Sequence, residues 1–401
     1  MRNVSILKTL GVFLLLFILP GSFPHAEEIE KVYDVSWLKI SPGVGENYEI
    51  EIPPEDVSRM NIYPKWKKSD KELSKKILGL VPKDSSSYSL ASTKLLELLK
   101  IEGIHAQVTI MYWGKEEIHG KQALAIAEKE GFDLIFSMGS ESADFVHEFY
   151  KGGKLPVVTS TNKDPVPLGQ MADYENGSGT NIAMTSLNVP LKIQMSYLFE
   201  LKPDLKNIGL MYDQNHVQVM ATEVVPAIKV MKDAGLNVID VTVQNAATSR
   251  ETLQQAIPEA IRTMQVNDPE LNNSIFWITS STAVFDELDT IAEYSGKVPV
   301  LATIPNAVKN GEKSAVIAIG IDRRNNAHLA SIYAIRILRG EVKPGDLKVG
   351  VVTPPDVAIN FRVAQKIGLK IPFSFFENAA FIYDYEGRVV RDFGEKVVYS
   401  K

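Results

Sequence analysis

A chain of 401 residues with 45% hydrophobic and 23% charged side chains has length and composition for two globular domains with real cores. Its net charge of −6 argues against a nucleic-acid partner, which calls for a basic surface. The sequence has no cysteine, which excludes disulfides, thiol nucleophiles and thiolate metal sites.

Residues 1–26 read as a secretory signal peptide. Arg2 and Lys8 give a cationic start, LGVFLLLFIL from Leu10 to Leu19 is the apolar core, and Pro20-Gly21 ends it. Ala26 is the expected last residue before cleavage, and the apolar run is short of the roughly twenty residues of a membrane span. Without a cysteine for lipid attachment, a soluble periplasmic protein is expected. Residues 27–74 read as an irregular N-terminal extension of unassigned function, with strand-like VYDVSWLKI and YEIEI interrupted by prolines.

From Lys75 the pattern becomes regular. Strands are expected at Lys76–Val81, His105–Met111, Phe132–Met138 and Leu155–Thr159, with helices at Ala91–Leu99, Glu116–Glu130 and after Gly139. In the second of these helices Ile118, Ala123, Ile126 and Ala127 are expected to face inward. Such alternation calls for a doubly wound α/β lobe. After a loop at Gly169–Gly179 and a segment at Asn181–Thr185, the alternation restarts with a helix at Val189–Leu201.

The clearest unit is KNIGLMYDQNHVQVMATEVVPAIKVMKDAGLNVIDVTV, residues 206–243. Ile208–Tyr212 reads as a strand buried on both faces, and the turn Asp213-Gln214-Asn215-His216 leads into a helix. Pro226 should kink that helix, Gly235 ends it, and Val238–Val243 is a parallel strand. Helices near Arg250–Val266 and Ala283–Tyr294 alternate with strands at Ser274–Thr279 and Val298–Thr303. Val316–Ile321 ends at Asp322, Asn326–Leu338 is an amphipathic helix, Val349–Val352 follows, and Phe361–Ile367 is helical. Tyr383–Gly387 reads as a turn between two short strands. Two series of similar length imply two α/β lobes rather than one enlarged sheet.

In open parallel sheets, ligands bind beyond the carboxyl ends of the strands. The loops expected there carry Ser85, Ser86, Ser140, Glu141, Thr161, Asp164, Asp213, Asn215, Thr279 and Ser280, and Asp322 ends a strand in the same way. These are hydrogen-bonding groups at helix N-termini, suited to a small polar or anionic ligand. Any one of them also serves as an ordinary cap or turn residue; their recurrence at one end of both lobes carries the binding reading. Trp113 and Trp277 are read as core or surface residues before ligand stackers. Gly139-Ser140-Glu141-Ser142 lacks the second glycine of a nucleophile elbow, and there is no Walker loop, dinucleotide fingerprint or paired-histidine motif. A non-enzymatic protein with no cofactor and no metal is expected.

Several stretches carry a family likeness: FDLIFSMGSESA, PVVTSTNKDPVPLG, TNIAMTSLNVPLKIQMSYLFELKPDLKNIGLMYD, AIGIDRRNNAHLASIYAIRILRGEVKPGDL and INFRVAQKIGLKIP. In order and spacing, from about Lys75 to Ala380, the chain resembles the substrate-binding proteins of ABC importers, in the group with tryptophan- and tyrosine-associated members. That resemblance implies a type I periplasmic-binding-protein fold: two doubly wound parallel-sheet lobes joined by a hinge, with the ligand in the cleft. By analogy the chain crosses near Ser186, Gly320 and Asp346, giving one lobe from 75–186 with 321–345 and another from 187–320 with 346–401. Tyr212-Asp213 and Gln218-Val219 depart from the family's Tyr-Asn start and Asn-Ser pair. The expected function is periplasmic capture of a small molecule, an amino acid or other small polar or aromatic solute, and delivery to an ABC permease in the inner membrane. The alternative is a ligand-binding sensor subunit that hands its ligand-bound form to a membrane receptor or kinase.

Overall fold

The computed structural model describes residues 34–69, 73–309 and 311–397, so the expected signal peptide lies outside the described residues. The described chain opens with a short ladder, β1 (Asp34–Val35) against β2 (Leu38–Lys39), and the one-turn α1 (Pro42–Gly45). Then come β3 (Tyr48–Glu51), β4 (Arg59–Pro64), β5 (Leu73–Val81), α2 (Ser86–Ile101) and β6 (Ile104–Tyr112). The lobe continues through α3 (Glu117–Lys129), β7 (Leu134–Met138), α4 (Ser140–Phe149), β8 (Val157–Ser160) and β9 (Ile182–Ala183). Its seven-stranded sheet has the order β3-β4-β6-β5-β7-β8-β9, parallel from β6 to β9.

Two expectations need correction here. The extension is not irregular: β3 and β4 pair antiparallel, β4 pairs antiparallel with β6, and together they widen the sheet. Its prolines interrupt little, since Pro53 and Pro54 lie between the two strands and Pro64 ends β4. Trp37, Tyr48, Met60 and Ile62 bury against α2 and supply part of the lobe core. In α3, Ile118 is 61% exposed rather than inward. The buried stripe runs through Gly120, Ala123, Leu124 and Ala127, and Ile118 sits about 200° around the helix from Gly120.

The second lobe is built from β10 (Thr185–Ser186), α5 (Leu191–Leu201), β11 (Asn207–Asp213), α6 (Val217–Val219), α7 (Val225–Asp233), β12 (Asn237–Val243) and α8 (Ser249–Gln265). It goes on through β13 (Ser274–Ile278), α9 (Thr282–Phe285), α10 (Leu288–Tyr294), β14 (Val300–Ala302) and β15 (Ile317–Gly320). After α11 (Arg323–Leu338) and β16 (Gly350–Val351) come β17 (Asp356–Asn360), α12 (Phe361–Ile367) and α13 (Phe373–Asn378). The last strands are β18 (Ala379–Tyr383), β19 (Val389–Asp392) and β20 (Glu395–Lys396). The sheet order is β12-β11-β13-β14-β15-β17-β18-β19-β20, parallel from β12 to β15 and mixed beyond. One helix was expected at Ala283–Tyr294; α9 and α10 divide it. β17, which returns antiparallel to β15, was not foreseen.

The chain passes from the first sheet to the second after β9, leaves it after β15 for α11, which packs on α2 and β8, and returns at β17. β10 and β16 pair parallel along this route. Polar side chains knit the crossings together. Asn326, wholly buried, accepts from the Thr161 N–H at 2.8 Å and donates to the Ser186 carbonyl at 3.0 Å. Asp356 accepts from the Asp322 N–H at 2.7 Å. Gly320 is required by close approach, since a Cβ there would lie 2.1 Å from the Thr303 carbonyl oxygen.

The kink expected at Pro226 takes a particular form. Met220–Val224 form a π-helical turn between α6 and α7, and the Val225 N–H reaches back five residues to the Met220 carbonyl. The widened turn lies just before the proline, whose missing N–H cannot complete an α-helical bond. It also turns Glu223 inward, where the residue is 9% exposed.

Candidate functional site

The loops that follow β5, β7, β8, β11, β13, β14 and β15 converge on one cavity of about 690 Å³. Both sheets contribute, each through the carboxyl ends of its parallel strands. The backbone prepares several of these loops for close approach. Gly139 precedes α4 at φ +89°, and a Cβ there would lie 2.2 Å from the Tyr88 hydroxyl oxygen. Thr161 holds φ 55°, a strained conformation for a β-branched residue, fixed by the hydrogen bond from its N–H to Asn326.

Seven of the eleven residues singled out from the sequence line this cavity: Ser85, Ser86, Ser140, Glu141, Thr161, Ser280 and Asp322. Some of them also serve the backbone. Ser85 caps α2 by accepting from the Ser87 N–H, Asp322 caps α11 by accepting from the Arg324 N–H, and Ser140 accepts from the Lys163 N–H. Asp164 and Thr279 border a smaller cavity of about 230 Å³ alongside. Asp213 and Asn215 line neither cavity. Asp213 accepts from the Asn215 N–H at 2.8 Å and so closes its own turn, while the Asn215 amide donates to the Gln244 carbonyl at 2.7 Å and ties that turn to the loop after β12. The member of that turn that reaches the main cavity is His216. Burial and the nearby Lys163 charge push its imidazole pKa down.

The sequence reading found Glu141 and Asp322 but missed Glu223 and every cationic group of the site. Lys83, Lys163, Lys309, Arg323 and Arg324 line the main cavity beside the carboxylates of Glu141, Glu223 and Asp322. Three ion pairs form: Lys83 with Glu141 at 2.7 Å, Lys163 with Glu223 at 2.6 Å, and Arg324 with Asp322 at 3.1 Å. Lys309 and Arg323 have no ion-pair partner among the described residues, which leaves the cavity a net attraction for anionic groups. Burial raises the Glu141 carboxyl, but hydrogen bonds from Lys83, its own backbone and Lys115 outweigh it and hold the pKa below the usual range.

Glu223 is the most enclosed of these groups. Its carboxylate accepts from Lys163, from the Ser280 N–H at 2.8 Å, from the Asn188 amide at 3.0 Å and from the Ser280 hydroxyl. Burial would raise its pKa, yet the Lys163 charge and these donors hold it low. Lys163 follows β8 of the first sheet, whereas Glu223 and Ser280 belong to the second lobe, so the pair spans the cleft. A second bridge runs from the Gln218 amide to Asp144 of α4 at 2.8 Å. Both second-lobe partners, Gln218 and Glu223, lie in the short segment around the π turn. Lys163 stood in a loop already marked by its polar run, but Glu223 lay inside an apparently regular amphipathic helix and gave no signal.

Among the described residues no cluster of three or more His, Asp or Glu side chains is arranged to hold a metal ion. The cavity offers charged and hydrogen-bonding groups to a ligand enclosed from two sides.

Two α/β lobes with a cavity at their facing strand ends give the type I periplasmic-binding-protein fold. The chain belongs to the ABC transporter substrate binding protein family, whose profile matches residues 84–381. Comparison with curated proteins finds no match. Among solved structures, it is similar to the ligand-free, open form of a substrate-binding protein with adhesive properties from Clostridium difficile. That likeness has 20% identity, covers 76% of this chain and 98% of the other, and has a TM-score of 0.60. A conserved domain protein from Vibrio cholerae matches at 18% identity over 77% of this chain and 99% of its own, TM-score 0.57. An ABC domain in complex with L-Trp from Streptococcus pneumonia matches at 21% identity over 77% and 99%, TM-score 0.55. At such identities these likenesses bear on the fold.

Proposed function

We propose that this chain captures a small solute between its two lobes in the periplasm and delivers it to an ABC permease in the inner membrane. The observation that carries this reading is the 690 Å³ cavity, lined from both sheets and crossed by the Lys163–Glu223 pair. Closure around a solute would exclude water and present one lobe arrangement to the permease. The moving bodies are proposed as 75–186 with 321–345 and 187–320 with 346–401, and the strands before residue 75 ride with the first.

The solute is an amino acid or another small polar or aromatic molecule, and Lys309 and Arg323 suit an anionic group on it. L-tryptophan, bound by the Streptococcus relative, is the first compound to titrate. The protein acts by binding and release, without turnover. Native mass spectrometry of gently purified protein, combined with small-angle scattering, tests the reading. A co-purified small molecule is expected, and its removal should enlarge the radius of gyration, because a ligand shifts a conformational population only through differential affinity. A protein that binds no solute in either experiment would overturn it. Import of the identified solute by the reconstituted permease separates delivery from a sensor's role.

A further inference from the structure

We propose that Phe393, in the turn of the C-terminal hairpin, is a positioning residue for the solute site. It holds the Arg324 guanidinium at the cavity wall as a charged fork for an oxyanion of the solute, a carboxylate or phosphate. This deepens the solute-binding reading and rests on it. The family profile ends at residue 381, so the hairpin of β19 and β20 lies beyond it.

The turn itself draws attention to the ring. Asp392 pairs with Glu395, which leaves Phe393-Gly394 as a two-residue loop. Both residues have positive φ, 51° and 79°, as in a type I′ turn. Such a turn favours asparagine, aspartate or glycine at its first position, and an aromatic residue is strained there. The strain persists because the turn is tied down. The Gly394 N–H donates to the Ala380 carbonyl at 2.8 Å, and Arg391 donates to the Phe376 and Ala379 carbonyls, each at 2.9 Å.

The ring so placed packs edge to face with Phe381 of β18, centroids 4.9 Å apart, and the Arg324 guanidinium lies over its face. The Lys309 ammonium stands 5.8 Å from the centroid of Phe381. Arg324 and Lys309 both line the main cavity, so one aromatic pair seats two of its cations. A ring holds a cation through its quadrupole and, unlike a carboxylate, leaves the charge unneutralised. Arg324 also keeps donors to spare. Its Nε donates to Asp322 at 3.1 Å, and its Nη groups have no hydrogen-bond partner among the described residues.

The local balance of charge calls for an anion. Along the lining segments 303–309 and 321–324, Lys309, Arg323 and Arg324 meet one carboxylate, that of Asp322. Asp356, which the Arg324 charge also reaches, lies outside that lining and accepts from the Asp322 N–H and the Asn325 amide. Arg323 and Arg324 open α11, where the helix dipole disfavours cations and favours an incoming anion. A stacked arginine presents its remaining donors to an oxyanion in one plane.

Sulfate is the probe, and the NMR resonance of the Arg324 Nε–Hε group, assigned by its loss in Arg324→Lys, is the readout. In wild type that resonance should carry the ring-current shift of Phe393 and should move as sulfate is added. Phe393→Leu keeps apolar bulk without a π face. The ring-current shift should vanish there, and sulfate should bind about threefold or more weakly. Phe393→Tyr should restore both. Phe393→Asn gives the turn its preferred residue and serves if Phe393→Leu fails to fold. Equal sulfate binding with and without the ring, no rescue in Phe393→Tyr, or an Arg324 resonance indifferent to sulfate would overturn the positioning role. Solute capture is judged separately, by the small molecule that co-purifies with wild type. That molecule should bear an acidic group; one without it would overturn the anion assignment and leave capture standing.

Discussion

Asn326, in the first turn of α11, has no exposed surface, and both ends of its amide serve the crossings between lobes. Replacing it with alanine strands the Thr161 N–H and the Ser186 carbonyl, and about 3 kcal/mol of stability should be lost in urea denaturation. Asn326→Asp keeps the acceptor for Thr161 but buries a carboxylate against the Ser186 carbonyl, so it should not rescue the loss at neutral pH. Asp213→Ala tests a different role. Its carboxylate holds the turn after β11, so the melting temperature should drop by the equivalent of about 1 kcal/mol while solute affinity, measured by calorimetric titration, stays within about twofold. A loss of affinity without a loss of stability would restore Asp213 to the site. The serines of the cavity were legible because small hydroxyl residues before a helical pattern have one obvious place. The central ion pair was not: Lys163 and Glu223 are sixty residues apart and meet only through the packing of two lobes.

The segment from α6 through the π turn carries the second-lobe half of both bridges across the cleft. Glu223→Gln keeps the shape of the side chain and leaves Lys163 buried without its counter-charge, a loss of about 3 kcal/mol. Solute-free Glu223→Gln should show a larger radius of gyration than wild type, and added solute should then compact it more. An unchanged radius would show that the pair does not hold the lobes. The pH dependence has a definite sign. Because the folded state depresses the Glu223 pKa, its contribution is complete above the ordinary glutamate value of 4.5 and disappears only as pH falls through the lower folded value. Wild type should therefore keep its solute-free radius at pH 5. At this scale most strands and helices were readable from apolar runs and helical periodicity. The failures have physical causes: β4 is joined to the sheet by pairing with β6, more than forty residues away, β3 joins only through β4, and prolines at their ends looked like breaks in their middles.

For the molecule as a whole, alternation of buried strands with amphipathic helices announced two parallel sheets, and their carboxyl ends announced where a site would lie. The sheet order and the antiparallel return of β17 depend on contacts between distant residues, which no local pattern encodes, and the share of α11 in the first lobe was expected only through the family resemblance. One expectation lies outside the described residues and is testable directly. Protein recovered from a periplasmic extract should begin near Glu27, and an intact Met1 terminus in the membrane fraction would remove the signal peptide from the account.

The lack of cysteine has a practical side. Val217 is 78% exposed, beside Gln218, whose amide reaches Asp144 of the opposite lobe. A Val217→Cys substitution would place the sole thiol of the chain at the mouth of the cleft. A solvent-sensitive fluorophore attached there would change its emission as the lobes close, turning the protein into an optical gauge of whatever it carries.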